Sequence, residues 1–555
     1  ANSGTPSMPA SVPAAAVEKP ASRDEAARFL TQATYGPTET DIARVTAVGY
    51  AAWIDEQLAL PTASHRASWE TIDTTLKAAG SAAGQDQVFE TFWRQALTGP
   101  DQLRQRVVFA LSQIFVISMA DNTVAENPRA VAAWLDMLGS DGLTSYRQLL
   151  ESVSRHPMMG VYLSHLKNQK ADSKGRVPDE NYAREVMQLF SIGLVDLNED
   201  GSAKTTATYG PSDIGGLAKV FTGWSWSCPD WPDNGCFSNG AVAGVSDPDR
   251  SFKAMLGYPQ YHSTEAKSFL GASIAAQATS DPAAGLKTAL DTLSAHPNVG
   301  PFIGRQLIQR LVTSNPSPAY VTAVSRAFAN NGAGVRGDMK AVVKAVLMHP
   351  EARAASERSG KLREPVLRLS GFLRAFGHQS DSGRFRVGNT DNPATQLGQT
   401  PMRSPSVFNF YRPGYTAPGT ASAAAGLVTP EMQIAHETSA AGYVNYMRDA
   451  VSLGVGSSNT INGVTRRDLQ ANFSAELALA EQPAALVDRV TAKLLYGSSN
   501  GAALKTEIGD AIAKITIPTL NSSGSNQSSI DSAKRNRVNA ALLLVLASPE
   551  YQVQP

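Results

Sequence analysis

Between Asp179 and Gly193 the chain reads Asp-Glu-Asn-Tyr-Ala-Arg-Glu-Val-Met-Gln-Leu-Phe-Ser-Ile-Gly. Asn181, Arg184, Glu185 and Gln188 recur at spacings of three and four, so a helix gathers them on one stripe while Val186, Leu189, Phe190 and Ile192 occupy the rest. A polar stripe on so apolar a helix must find partners. If buried, each such group costs about 1 to 3 kcal/mol unless hydrogen-bonded, and more when charged, so the stripe meets either a polar pocket or an internal ion-pair network. Glu180 and Glu185 beside Arg184, with Asp213 further on, are the side chains that general acid–base chemistry on a glycosidic bond requires. The competing role is structural, with Arg184 and Glu185 knitting the helix to its neighbours.

A second constellation, Tyr261-His262-Ser263-Thr264-Glu265-Ala266-Lys267, offers a histidine that titrates near physiological pH and a lysine able to hold a ligand oxygen. Glu185, Asp213, His262 and Arg184 are therefore the candidate catalytic residues. Asn181, Gln188, Trp224, Trp226 and Lys267 are candidates for binding substrate. A hydrogen-bonded loop position is the alternative for His262.

Metal chemistry has thinner support. Asp196-Leu197-Asn198-Glu199-Asp200-Gly201 places Asp196, Asn198 and Asp200 at positions one, three and five of a calcium loop, with glycine at six. Position twelve is Ala207 where a bidentate Glu is needed, which leaves a polar turn as the alternative and Asp213 as a distant ligand. No His-Glu-x-x-His occurs, so zinc would need ligands from distant segments such as His156, His165, His262 and His296.

No Ser-x-x-Lys with the companion motifs of penicillin-binding enzymes, no phosphate-cradling Gly-x-x-x-x-Gly-Lys-Ser/Thr, no Gly-x-Gly-x-x-Gly after a strand and no Cys-x-x-Cys-His haem attachment occurs.

Helical periods must position these groups. They recur over Glu25–Leu30, Glu39–Val48, Tyr50–Leu58, Val88–Ala96, Gln102–Met119, Ala130–Leu138, Ser145–Val153, Ile214–Phe221, Ala283–Ser294, Val299–Val312, Ala319–Ala329, Met339–Met348, Arg363–Phe376, Pro430–Gly454, Ala484–Leu495, Ala502–Lys514 and Asp531–Leu546. Few segments alternate as strands do. The expected fold is mainly α, a large multi-helical, bundle-like single body with long irregular loops: an Ala/Ser/Pro-rich leader over 1–22, a main domain over 23–447, and a helical segment over 448–555 packed upon it.

Ser227–Gly257, Gln379–Gly426 and Leu520–Ser529 lack period and carry Gly, Ser, Asn and Pro. The first two are long enough to roof a cleft. Trp224, Trp226, Trp231, Phe237 and Tyr258 surround the first, and Phe408, Phe410, Tyr411 and Tyr415 crowd the second. Such rings stack on sugars when exposed and anchor loops when buried. Cys228 and Cys236, the only cysteines, lie in the first loop, where a short disulfide suits an oxidising compartment; two unpaired thiols are the alternative.

Lys plus Arg equals Asp plus Glu at 49 each, and no long basic block occurs, so nucleic acid binding is not expected. No window approaches 18 uninterrupted apolar residues, which argues against a membrane-spanning helix. A start at Ala1 and the composition of the leader suit a mature N-terminus left by signal removal, hence a periplasmic or secreted protein.

Phe92-Trp93-Arg94, Asp101 to Val107, His156-Pro157-Met158-Met159, Asn181 to Glu185, Phe221-Thr222-Gly223-Trp224, His262 with Lys267, His296-Pro297-Asn298 with Phe302, Arg363-Glu364-Pro365, Gly398-Gln399 and Ser548-Pro549-Glu550-Tyr551 follow one another in fixed order. In these motifs the chain resembles the bacterial family catalogued as domain of unknown function 1800, from about Arg28 to Gln554. The resemblance implies an exported, mostly helical protein, often encoded beside a second exported family, domain of unknown function 1501. It brings no reaction and no catalytic residues.

Two functions are expected from these residues. One is a hydrolase or lyase acting on a polymeric carbohydrate by carboxylate acid–base chemistry, without a certain cofactor. The other is a non-catalytic binding or assembly partner of another exported protein, such as a member of the second family.

Overall fold

The computed structural model describes residues 17–354, 359–496 and 501–555. Most of the leader expected over 1–22 lies outside the described residues. The first helix, Arg23–Ala33, starts where the Ser22 hydroxyl accepts the Glu25 amide, and Thr38, Ser64, Ser145, Asp281, Ser317 and Asp338 cap later helices in the same way. Among the described residues there are 25 α-helices and 13 strands, and no strand exceeds seven residues. The fold is mainly α.

One hydrophobic core runs from Ala26 to Tyr551, with Trp93 and Trp134 fully enclosed. It makes a single body of the chain. The helix Glu437–Leu453 runs across position 447, where a boundary was expected, and the helices Pro483–Leu494 and Gln527–Ala547 pack on each other and on earlier helices. The closing strand Val553–Gln554 pairs antiparallel with Lys361–Leu362. Helix His65–Ala78, absent from the expected set, carries few apolar positions and buries only His65, Trp69 and Ile72.

Three departures shape the functional region. The helix expected over Gln102–Met119 stops at Ser112, because the Gln113 carbonyl and side chain both turn to Arg310. The polar-striped helix covers only Asn181–Gln188; the Ile192 and Gly193 amides bond to the Met187 carbonyl, and Gly193 takes a φ of 71°. Gly193 also packs so closely that a Cβ there would meet Phe302 at 2.9 Å. Finally, between Ser380 and Ala421 the chain forms neither helix nor strand. Buried bonds hold that loop instead: Thr390 to Thr400 at 2.7 Å, Ser118 to the Ser404 carbonyl at 2.6 Å, and Met119 to the Met402 carbonyl at 2.8 Å.

Among the described residues no helix is long and apolar enough to cross a membrane.

Candidate functional site

The polar stripe of Asn181–Gln188 is divided by its surroundings. Asn181 and Arg184 reach solvent, and Arg184 pairs with Glu180 at 3.6 Å with both side chains about half exposed. Gln188 is half-buried and accepts from the Tyr209 hydroxyl at 3.1 Å. Glu185 is 8% exposed, Oε2 has no partner, and burial raises its pKa against the weaker opposing pull of Arg184. It is sealed off, but not by an arginine bridge.

Asp213 sits at the start of the helix Pro211–Val220 and accepts the Gly210 and Leu270 amides, each at 2.8 Å. It thereby staples the hairpin Lys267–Ile274 to its helix. Asp213, Glu180 and Lys219 line a groove of about 710 Å³, where Glu180 is paired with Arg184, Asp213 with the two amides, and Lys219 with Glu265 at 2.6 Å. Glu185 does not line it.

His262 is fully buried. Its Nδ1 lies 2.7 Å from the Thr222 carbonyl, Nε2 has no partner, and burial lowers its pKa to about 4. Lys267 is equally enclosed and donates to the Ser263 carbonyl at 2.7 Å; burial lowers its pKa. Trp224 is buried with its indole N–H on the Val220 carbonyl, and half-buried Trp226 lies under the Arg250 guanidinium. Neither tryptophan lines the groove or the cleft described below. Cys228 and Cys236 form a disulfide, whose loop packs with Phe237 and Tyr258.

Among the described residues no three His, Cys, Asp or Glu side chains gather as a metal site. Asn198 and Asp200 both bond to Ser202 in the turn joining Val195–Leu197, which contains Asp196, to Ala203–Ala207. His156 and His165 are buried, and burial lowers their pKa to about 3 and about 4. The calcium and zinc sets are therefore not brought together.

A second cleft, of about 490 Å³, lies where three elements meet: the end of the polar-striped helix (Gln188, Leu189), the helix Val299–Leu311, and the loop around Phe408. Phe302 and Phe408 contribute aromatic faces, and Arg305, Arg310 and Arg412 contribute guanidiniums. Among the described residues no carboxylate lines this cleft. Arg412 stacks over Phe408 at 4.2 Å, and the Gln309 amide ties the loop to the helix by donating to the Pro413 carbonyl at 3.2 Å.

Behind Arg310 lies a buried charged network. Arg310 donates to Gln113 Oε1 at 3.0 Å and to the Tyr411 hydroxyl at 3.3 Å. Tyr411 donates to Glu364 at 2.6 Å, and Gln113 and Gln399 donate to the other Glu364 oxygen at 2.5 and 2.8 Å. Lys361 bridges to Glu431 at 2.9 Å with both side chains almost wholly enclosed. Fully buried Arg106 donates to the Arg310 carbonyl at 2.6 Å and leaves Nε and Nη1 without partners. A cavity of about 10 Å³ is lined by Gln306, Gln309, Arg310, Tyr411, Pro413 and Glu431 among others; four of these residues also line the cleft.

The two glutamates are pushed apart. Burial alone raises the Glu364 carboxyl, but Lys361, Arg106 and the donated hydrogen bonds outweigh it and hold it below the ordinary range. For Glu431 burial dominates despite Lys361, the nearby Glu364 charge adds to it, and the pKa is raised; its Oε2 has no partner. Two carboxyls separated in this way are suited to different roles in proton transfer.

The arginine cleft rather than the groove is the candidate site. The charged side chains of the groove each have a partner, whereas Arg305 and Arg412 of the cleft have no ion pair among the described residues. The sequence contains a signal for it: Arg305, Gln306, Gln309 and Arg310 form a polar stripe on an otherwise apolar helix, the same pattern as in Asn181–Gln188.

The family model described as "Protein of unknown function (DUF1800)" matches residues 28–553, nearly the whole chain, and the protein belongs to that family. No curated protein and no solved structure matches it.

Proposed function

We propose that this protein is an exported hydrolase or lyase that acts on a polymeric carbohydrate bound in the cleft at Phe302 and Phe408. The observation that carries this reading is that Phe302 and Phe408 line a cleft sharing four lining residues with the small cavity at buried Glu431, whose carboxyl burial raises while the neighbouring Glu364 is held low by Lys361, Arg106 and its donated hydrogen bonds. Glu431 does not itself line the cleft; it is the proton source through the small cavity whose walls at Gln306, Gln309, Arg310 and Pro413 are shared with the cleft. In hydrolysis the glycosidic C–O bond breaks as that proton transfers, a water oxygen bonds to the anomeric carbon, and the proton released from the water returns to Glu431. Ionised Glu364 orients the Tyr411 hydroxyl and is a positioning residue. The cysteine bridge supports export, because such bonds persist in oxidising compartments.

Carboxylate chemistry is thus retained from the sequence-based expectation, with Glu431 in the proton-donating role. Glu185, one turn before Gln188, is the second carboxyl with a raised pKa next to the cleft. The test is a polysaccharide panel assayed for new reducing ends and for ultraviolet-absorbing unsaturated ends; the latter mark a lyase. Glu431→Gln keeps the Lys361 contact and should lower turnover by about a hundredfold or more with a melting temperature within a few degrees of wild type. Undiminished turnover would remove Glu431 from the mechanism, and a Glu185→Gln variant with the same loss would transfer the role.

A second reading, a non-catalytic partner of an exported DUF1501-family protein, is favoured by the hairpin Val455–Gln470. Its tip exposes Ile461 and Val464, at 37% and 57%. Co-purification that is lost on replacing both residues by Ser, together with no turnover on the panel, would establish that reading.

A further inference from the structure

The cleft holds guanidiniums that the protein itself leaves without counter-charges. Half-buried Arg305 has neither an ion pair nor a hydrogen bond among the described residues, and burial lowers its pKa. Exposed Arg412 has no ion pair there, and its guanidinium carbon lies over the Phe408 ring at 4.2 Å. Buried Arg310 spends its hydrogen bonds on neutral Gln113 and Tyr411, and its Nε has no partner. A partly desolvated cation with nothing to pair with is unfavourable in the empty protein and becomes favourable when an anion arrives.

We propose that the carbohydrate taken by this cleft is acidic, its pyranose rings bearing oxyanion groups that Arg305 and Arg412 grip while Phe302 and Phe408 contact the ring faces. The guanidinium fork matches a carboxylate or sulfate oxygen pair in a way that a neutral hydroxyl does not. Aromatic rings beside the arginines favour an anion carried on a ring over a bare one. The lack of any acidic lining residue removes the repulsion that would exclude such a ligand. This inference rests on the reading of the cleft as the carbohydrate site and adds the class of substrate to it.

Binding of trigalacturonate, a sulfated trisaccharide and maltotriose to the whole protein, measured by calorimetry at low and high salt, is the test. An acidic trisaccharide should bind at least about tenfold tighter than maltotriose, with the advantage shrinking as salt rises. Whether the carboxylated or the sulfated probe leads decides the source of the oxyanion. Arg305→Gln and Arg412→Gln, each checked for an unchanged melting temperature, should abolish most of the preference, whereas Phe408→Ala should weaken all three sugars alike. Equal binding of acidic and neutral sugars would overturn the inference while leaving the carbohydrate reading in place. Survival of the preference in both arginine variants would also overturn it, and no binding of any sugar would remove the carbohydrate reading together with it.

Discussion

At the scale of single residues, what decides a role is whether a polar atom is satisfied. Asp213 accepts two amides and His262 donates to one carbonyl, so both secure local packing. Glu431 keeps an unpartnered oxygen beside a small cavity. The buried histidine has a consequence for acid stability. Its pKa is lowered to about 4 from 6.5, so below 6.5 the unfolded chain binds a proton that the folded chain refuses. The stability is fully present above 6.5 and is lost as pH falls towards 4. Replacing His262 with Asn, which can still donate to the Thr222 carbonyl, should reduce the fall in unfolding free energy between those pH values by about 3 kcal/mol, measured by denaturant titration at each pH. His156, His165 and His378 shift in the same direction, so the remaining slope should stay positive.

At the scale of elements, close approach sets the geometry. The helix Pro211–Val220 meets the strand Lys267–Phe269 through Gly216, where a Cβ would lie 1.8 Å from the Ser268 carbonyl oxygen. Gly216→Ala should therefore separate helix and strand, lowering stability by about 3 kcal/mol or more in a urea titration. The cysteine loop behaves differently. Its bridge spans a separation of 8 residues, and reduction should cost about 2.5 kcal/mol in loop entropy. None of the loop's residues lines the cleft, so ligand affinity measured in reductant should match that of the oxidised protein.

At the scale of the whole molecule, the cleft is supported by contacts between segments far apart along the chain. Gln113 meets Glu364 across 251 positions and Arg310 across 197. Gln554 donates to the Leu311 and Val312 carbonyls at 2.9 and 3.0 Å, and its strand lies against Lys361. Gln554→Ala leaves two buried carbonyls unsatisfied. It should lower stability by about 1 to 3 kcal/mol, and hydrogen exchange should quicken at the Lys361–Leu362 strand as well as at the mutated end.

The helices were legible in the sequence because period and capping are local properties. Glu39–Val48, Met339–Met348 and the loop beyond Ser380 follow from spacing and punctuation alone. Phe408 and Tyr411 already stood out as a cluster, and the pairing of Cys228 with Cys236 lies within reach of a short loop. Local pattern cannot tell which polar stripe faces a cleft. Asn181–Gln188 and Arg305–Arg310 have the same alternation, yet only the packing of the Phe408 loop and the end of the Gln102–Ser112 helix gives the second its unpaired charges. Periodicity sorts side chains onto faces of a helix, but burial and counter-charge come from whatever long-range packing places opposite that face, and here the tertiary structure alone decided it.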